Sequence, residues 1–201
     1  MPAYAIRSHR DRHVIFAGEY PDLRRCAEAA VDAGRALTYA DFAGANLAHV
    51  TLDGADLRYA RFDGADLTGA NLSEADLTGA SLRGTDATLA CLAESRLIDM
   101  DCTDATFTGA HITGAVMEGC RFSTPSALAL PFDMLQSMGT QTYAHDNNGT
   151  ALPFAACPIV ITGLGPRIVR LDRHILIGNA LRPDTPAARH MLDQFLAGVT
   201  A

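Results

Sequence analysis

Apolar residues recur at every fifth position through the middle of the chain. From Leu37 and Phe42 to Phe122 there are 18 successive units, and 16 of their central residues are Leu, Phe, Ile or Met. Ala87 and Cys102 are the exceptions. Two residues before the centre, 12 of 18 positions are Ala; two residues after it, 9 of 18 are Gly. A period of five matches neither the helical repeat of about 3.6 nor the strand repeat of about 2. It predicts a chain that turns a corner with every unit. The centre and the residue two before it point inward, and the residue two after it takes a positive φ. Four corners close a square, so four units make a coil and side chains four units apart stack on one face.

Residue sizes support that stacking. One inward column reads Phe42, Phe62, Leu82, Cys102, Phe122. The small centre Cys102 comes with a large Met100 at the paired inward position, and small Ala87 comes with Thr85. Such exchange of volume is what close packing demands. With adjacent strands about 4.8 Å apart, some four and a half coils make a rod of about 22 Å. Outward, one column reads Asp41, Arg61, Ser81, Asp101, Arg121, and another holds Thr68, Thr88 and Thr108. A third begins acidic with Asp56 and Asp76, continues with Arg96 and ends at Val116, with Ile98 on the same face. Val116 and Ile98 call for cover, from the C-terminal region or from a partner.

These 18 units resemble the pentapeptide repeat family over residues 37–124. The resemblance implies a right-handed quadrilateral β-helix. The expected fold class is therefore mainly β: a solenoid of about 4.5 coils, an N-terminal hairpin-plus-helix cap and a small C-terminal α+β region. The corresponding divisions are 1–36, 37–124 and 125–201.

The flanks read differently. Tyr4–Ile6 and Val14–Phe16 predict a hairpin whose tip, Ser8 to His13, is basic. It suits phosphate contact, or needs no role as a solvated tip. Pro21 opens a helix that runs to about Arg35, with Leu23, Cys26, Ala27, Ala30 and Val31 on one face and Gly34 at its exit. It is placed to cap the open end of the solenoid. Beyond Phe122 the repeat stops. Prolines 125, 131 and 153 and the turn Asn147-Asn148-Gly149 punctuate the next stretch, with a short helix over 130–137. Strands follow at Ile159–Thr162, Arg167–Leu171, with the alternation of a sheet edge, and His174–Ile177. Thr185 and Pro186 open a last helix bearing Met191, Leu192, Phe195 and Leu196, to pack inside the chain or to self-associate.

A second resemblance lies in Gly163-Leu164, Val169, Asp172, His174 and Ile177-Gly178. It is similar to the C-terminal segment of phage- and prophage-encoded pentapeptide repeat proteins. Members of that group often add a Cys and a later His to the Asp and His; here Asn179 and Arg182 stand at those positions, which argues against a metal site.

Charge refines this picture. The 201 residues carry a net charge of −7, all sixteen cationic side chains being Arg. Residues 37–124 hold 13 acids against 5 Arg, a net of −8, so the acid is concentrated on the repeat. Two explanations stand side by side. The rod imitates DNA, as quinolone-resistance members of the family do toward gyrase, or Asp and Asn precede the centres because they suit the turn. The acidic balance argues against direct nucleic-acid binding and against an anionic membrane surface. The five Cys are odd in number and scattered, and no signal peptide or long apolar run is visible, so a cytoplasmic protein with reduced thiols is expected.

No catalytic motif emerges. Cys91 and His111 share an outward column, one coil apart, but two ligands are too few for a metal. His145 and Asp146 adjoin without a nucleophile. The expected function is a non-enzymatic protein-interaction or scaffold module without cofactor, with an acidic DNA-mimic inhibitor of gyrase or another DNA-binding protein as the alternative. A homodimer fits either. The candidate surface comprises Asp53, Asp56, Asp63, Asp66, Asp76, Asp86, Ile98 and Val116.

Overall fold

The computed structural model describes residues 2–123, 127–144, 151–161, 168–177, 180–187 and 189–190. Among the described residues the chain is mainly β, with one complete helix and helical positions again at 186–187 and 189–190, where the last helix is expected to open. It divides into two compact units, Met1–Pro153 and Phe154–Ala201.

The first unit opens with β1 (Ala3–Arg7) and β2 (Val14–Glu19), an antiparallel hairpin. Helix α1 (Leu23–Asp32) follows. Its N-cap is Asp22, whose carboxylate accepts the Arg25 N–H at 2.7 Å, so Pro21 lies outside the helix. The helix stops short of Arg35 because Gly34 takes φ +66° and the Arg35 N–H turns back to the Ala30 carbonyl. Cys26, Ala27, Ala30 and Ile6 are fully buried, where helix and hairpin pack together.

Through the repeat, isolated parallel bridges link equivalent positions of successive coils. Asp41, Arg61, Ser81 and Asp101 form one chain of bridges, Asn46, Asp66, Asp86 and Thr106 a second, Thr51, Asn71, Cys91 and His111 a third, and Asp56, Asp76 and Arg96 a fourth. All 18 centres are buried, none more than 4% exposed. The described residues two after each centre, from Tyr39 to Gly119, all have positive φ: eight carry side chains and nine are glycines. The half that are Gly avoid the steric penalty of that conformation. The Phe column packs as its sequence requires, with the Phe42 and Phe62 rings stacked at 5.2 Å. Met100 and Cys102 are both buried, and buried Thr85 donates its hydroxyl to the Phe62 carbonyl at 2.7 Å.

The bridges lengthen into short strands at β3 (Arg96–Ile98), β4 (Asp101–Cys102), β5 (Val116–Glu118) and β6 (Arg121–Phe122). The ladder does not end at 124. After the 3-10 turns Ala127–Ala129 and Phe132–Met134, where a single short helix was expected, β7 (Ser137–Met138) pairs in parallel with β5. Next, β8 (Gln141–Ala144) pairs with β6, and β9 (Ala151–Phe154) lies beside β8. The steps from Val116 to Ser137 and from Arg121 to Thr142 are each one residue longer than the step from Arg96 to Val116. That extra residue hides the last rungs from a search for period five. The first unit accordingly runs to Pro153.

The N-terminal elements satisfy the first edge of the ladder. Ser8 bridges Ala40, the Asp41 N–H donates to the Arg7 carbonyl at 2.8 Å, and the Thr51 N–H donates to Glu28 Oε1 at 3.2 Å. The N–H groups of Asp41 and Thr51, two of the four first rungs, are thereby taken, which interrupts the row that another chain could pair with. The hairpin tip is exposed from Arg10 to His13, as a solvated tip would be, and Arg12 within it is also engaged. Arg12 and Arg61 both pair with Asp41, at 3.2 Å and 2.8 Å.

The second unit holds β10 (Ile159–Ile161), β11 (Ile168–Leu171), β12 (His174–Ile177) and β13 (Ala180–Pro183) in an antiparallel sheet of that order. β11 is an interior strand, not the edge its alternation indicated. Its polar Arg170 is accommodated by an ion pair with Asp184 at 3.0 Å. β13 escaped the sequence reading, having Arg182 and Pro183 among four residues. Gly163, Leu164 and Gly178, the adjoining His145 and Asp146, and the apolar residues 191–196 lie outside the described residues.

Candidate functional site

The outward positions of the repeat follow from one local device. An Asp or Asn before the centre turns its side-chain oxygen onto the N–H two residues later. This holds for Asp41, Asn46, Asp56, Asp66, Asn71, Asp76, Asp86 and Asp101, at 2.9 to 3.4 Å. Such Asx turns satisfy the donor at each corner. The acids therefore have structural work in every coil, independent of any partner.

The nominated acids do not gather. Asp56 and Asp76 share one bridge chain, Asp66 and Asp86 another, while Asp63 follows the Phe62 centre and Asp53 follows the Leu52 centre. They thus occupy four different columns. Two are paired with cations: Asp56 with Arg58 at 2.7 Å and Asp76 with Arg96 at 3.7 Å. Asp63 keeps its charge and accepts the Ser81 hydroxyl. Arg58 holds the Asp56 carboxyl below its usual range. Ile98 and Val116 are half-buried, and Val116 is flanked on both sides by paired strands.

The large exposed apolar side chains of the repeat are instead Tyr59 and Leu89. Tyr59 stacks on Tyr39 with centroids 5.0 Å apart and planes within 12°. The hairpin tip completes this group: the His9 ring meets the edge of Tyr39 at 5.8 Å, and the Arg10 guanidinium lies 5.3 Å from the Tyr39 centroid. His9 Nε2 also lies 2.8 Å from the Tyr59 carbonyl oxygen. An aromatic platform with an attached cation thus stands on one corner of the repeat. The sequence carried a signal for it. Two Tyr stand one coil apart at a turn position where Gly is commonest, a column the inward and outward readings passed over.

Cys91 and His111 are bridge partners, with Sγ 3.9 Å from Nδ1. Among the described residues no group of three His, Cys, Asp or Glu is arranged to hold a metal. In the second unit Asp172 occupies the turn between β11 and β12, and its carboxylate accepts the Ala155 and Ala156 N–H groups at 3.1 and 3.2 Å. Among the described residues no helix is long and apolar enough to cross a membrane.

Comparison with known proteins follows the repeat. The pentapeptide repeats model matches eight copies over residues 37–73, 60–92 and 88–123. No curated protein matches the chain. Among solved structures, HetL of the cyanobacterium Nostoc sp. strain PCC 7120, involved in heterocyst differentiation regulation, is 35% identical. That match covers 38% of this chain and 40% of HetL, with a TM-score of 0.35. QnrB1, a plasmid-mediated fluoroquinolone resistance protein, is 24% identical over 45% of this chain and 49% of its own, with a TM-score of 0.40. A pentapeptide repeat protein of the Arabidopsis thaliana thylakoid lumen is 30% identical over 58% of this chain and 83% of its own, with a TM-score of 0.25. The chain thus spans less than half the length of HetL and of QnrB1. Through residues 37–123, the chain belongs to the pentapeptide repeat family.

Proposed function

We propose that this protein is a non-enzymatic interaction module of the cytoplasm, built on a right-handed quadrilateral β-helix of about four and a half coils. The chains of parallel bridges that run from coil to coil support that architecture. The observation that carries the functional reading is the platform formed by Tyr39 and Tyr59 with Arg10 beside them. Tyr and Arg are among the side chains that dominate protein–protein contacts, and the exposed Tyr59 ring, stacked on Tyr39, brings large area at little cost in conformational entropy. The partner is a protein. A phage or prophage origin rests on the C-terminal segment around Asp172 and His174 alone.

The DNA-mimic reading is favoured by the net −8 of residues 37–124. The distribution of the acids over four columns, with Asp56 and Asp76 beside Arg58 and Arg96, argues for the platform instead. DNA imitation needs an uninterrupted stripe of negative potential.

The test is affinity capture from a lysate of the source organism with salt-step elution, run in parallel on the Tyr39→Gly/Tyr59→Gly variant. Both positions have positive φ, so Gly removes the rings without straining the turn. A partner that withstands salt and is lost with the two rings supports the interaction module. A DNA-binding protein released by modest salt from both versions, together with inhibition of gyrase supercoiling, overturns it in favour of the mimic.

A further inference from the structure

We propose that Cys91 is a nucleophilic thiol on the face of the repeat that forms a mixed disulfide with low-molecular-weight disulfides, with His111 as its base. Cys91 occupies the position before a centre that Asp or Asn fills in eight of the 18 units. There the fold directs the N–H of the second following residue at the side chain, as it does for Asp86 at 3.0 Å and Asp101 at 3.0 Å. At Cys91 the Ala93 N–H likewise favours the ionised side chain. A site built to receive a carboxylate oxygen thus receives a sulfur, and it favours the anion in both cases.

The neighbouring coils supply the rest. Ser73 Oγ, from the preceding coil, lies 3.1 Å from Sγ and donates its proton to Asn71 Oδ1 at 2.7 Å; once Cys91 ionises, that one proton can turn to the thiolate instead. His111, from the following coil, places Nδ1 at 3.9 Å. Thr113 Oγ1 lies 2.9 Å from His111 Nε2. With the proton on Nε2 and donated to Thr113, the Nδ1 lone pair faces the thiol. Nucleophile, base and orienting group therefore stand in series, with Ser73, Cys91 and His111 drawn from three consecutive coils. Among the described residues, His111 is the titratable group in contact with Cys91; Ser73 and Ala93 beside the sulfur are uncharged. Partial burial opposes ionisation, but the Ser73, Ala93 and His111 hydrogen bonds outweigh it and hold the thiol below its ordinary value. Access is open on one side: Cys91 is half-buried and its neighbour on the face is the small Ala93.

The other cysteines differ in kind. Cys26, Cys102 and Cys120 are buried, and burial pushes Cys102 well up and Cys120 to about 12. Cys157 is exposed. It serves as an internal comparison.

The step balances without a further reagent. His111 Nδ1 takes the thiol proton, and the Cys91 thiolate attacks one sulfur of the disulfide. A new S–S bond forms to Cys91 as the old one breaks. The departing thiolate takes the proton from His111 and leaves as a thiol. The small disulfide supplies the oxidising equivalents, ending as one free thiol and one half of the mixed disulfide.

The experiment incubates the reduced full-length protein with oxidised glutathione at pH 7 and follows each cysteine by peptide mass spectrometry. Cys91 is expected to acquire glutathione at least about fivefold faster than Cys157. His111→Gln, at an exposed position, is expected to lower the Cys91 rate about fivefold while leaving Cys157 unchanged. A Cys91 rate no greater than that of Cys157 overturns the proposal. So does a rate indifferent to His111→Gln, or one lowered equally at both cysteines. The pH profile of iodoacetamide alkylation in the unsubstituted protein gives a reading that no variant can confound. An inflection for Cys91 below that for Cys157 supports the proposal, and coincident profiles overturn it.

Discussion

The Tyr59 ring lies over Gly79, one coil further along: a Cβ added to Gly79 would come within 2.5 Å of two ring carbons. Gly44 has a similar φ of +66° but open space around it. Ala at 44 meets backbone strain alone, on the order of 1–2 kcal/mol. Ala at 79 must also push Tyr59 off its stack on Tyr39. Gly79→Ala is therefore expected to cost about 1 kcal/mol more than Gly44→Ala. That excess should vanish in a Tyr59→Gly background. Denaturant midpoints for both substitutions in both backgrounds check this, and an excess that survives loss of the Tyr59 ring contradicts it.

Inside the repeat, the large Met100 and the small centre Cys102 are both no more than 2% exposed, and their sizes are complementary. Met100→Ala should cost about 2–5 kcal/mol through the cavity it opens. Adding Cys102→Leu should recover at least about a third of that loss, since it returns volume to the same coil. A double variant no more stable than Met100→Ala alone, in thermal or urea unfolding, would show that the two side chains do not share space.

How much of this was legible in the sequence differs along the chain. Where each unit of the repeat poses the same steric problem, the answer was readable: the buried centres, the positive φ two residues later and the Phe column follow from residue types alone. Phe42 over Phe62 is an instance. The last rungs were not readable, because the lengthened step to Ser137 and Thr142 breaks the period and their centres are neither Leu nor Phe. The aromatic platform was half-readable. The spacing of Tyr39 and Tyr59 places them in one column, but the contribution of His9 and Arg10 depends on how the hairpin tip docks. The role of Cys91 emerged once the turn N–H groups could be seen aimed at the preceding side chain.

Acid should weaken the repeat in a defined window. Arg58 lowers the Asp56 carboxyl, and the Thr68 N–H lowers that of Asp66. For Asp101 partial burial pulls upward, but Thr103 and Arg83 outweigh it and the net shift is downward. A carboxyl whose folded pKa lies below its unfolded value of about 3.9 contributes stability above that value and loses it as pH falls through the folded one. Tm is therefore expected to stay level from pH 7 to about 5 and to fall from about pH 4 downward. Asp66→Asn keeps the turn acceptor but lacks the ionised group's contribution, so it should be less stable than the unsubstituted protein at pH 7 and lose less on going to pH 3, the two converging in acid. A Tm that rises between pH 5 and pH 3 would reverse the sign of the linkage.

The extra residue that lengthens the last step is accommodated by Gln141, and this makes it the most demanding polar side chain of the first unit. Gln141 is fully buried. Its Oε1 accepts the Cys120 N–H at 2.8 Å, and its Nε2 donates to the Met117 and Gly139 carbonyls at 3.0 and 3.1 Å. One amide thus closes backbone groups on both sides of the junction between the regular coils and the lengthened step. Leu fits the volume but leaves the Cys120 N–H and the Gly139 carbonyl without that partner, while the Met117 carbonyl keeps the Gly139 N–H at 2.8 Å. An unsatisfied buried backbone group costs about 1–3 kcal/mol, so Gln141→Leu should cost at least about 2 kcal/mol. Gln141→Glu retains the acceptor for Cys120 and loses the two donated bonds, and should fall between the two proteins near neutral pH, where burial also penalises its charge. Hydrogen exchange locates the damage. Protection should drop first at Gly119, whose N–H donates to the Thr140 carbonyl, and at Thr142, whose N–H donates to the Cys120 carbonyl. The rungs between Asp41 and Asp101 should remain protected. A Gln141→Leu protein as stable as the original, or one that loses protection first at the Asp41 end, would show that the junction does not depend on this amide.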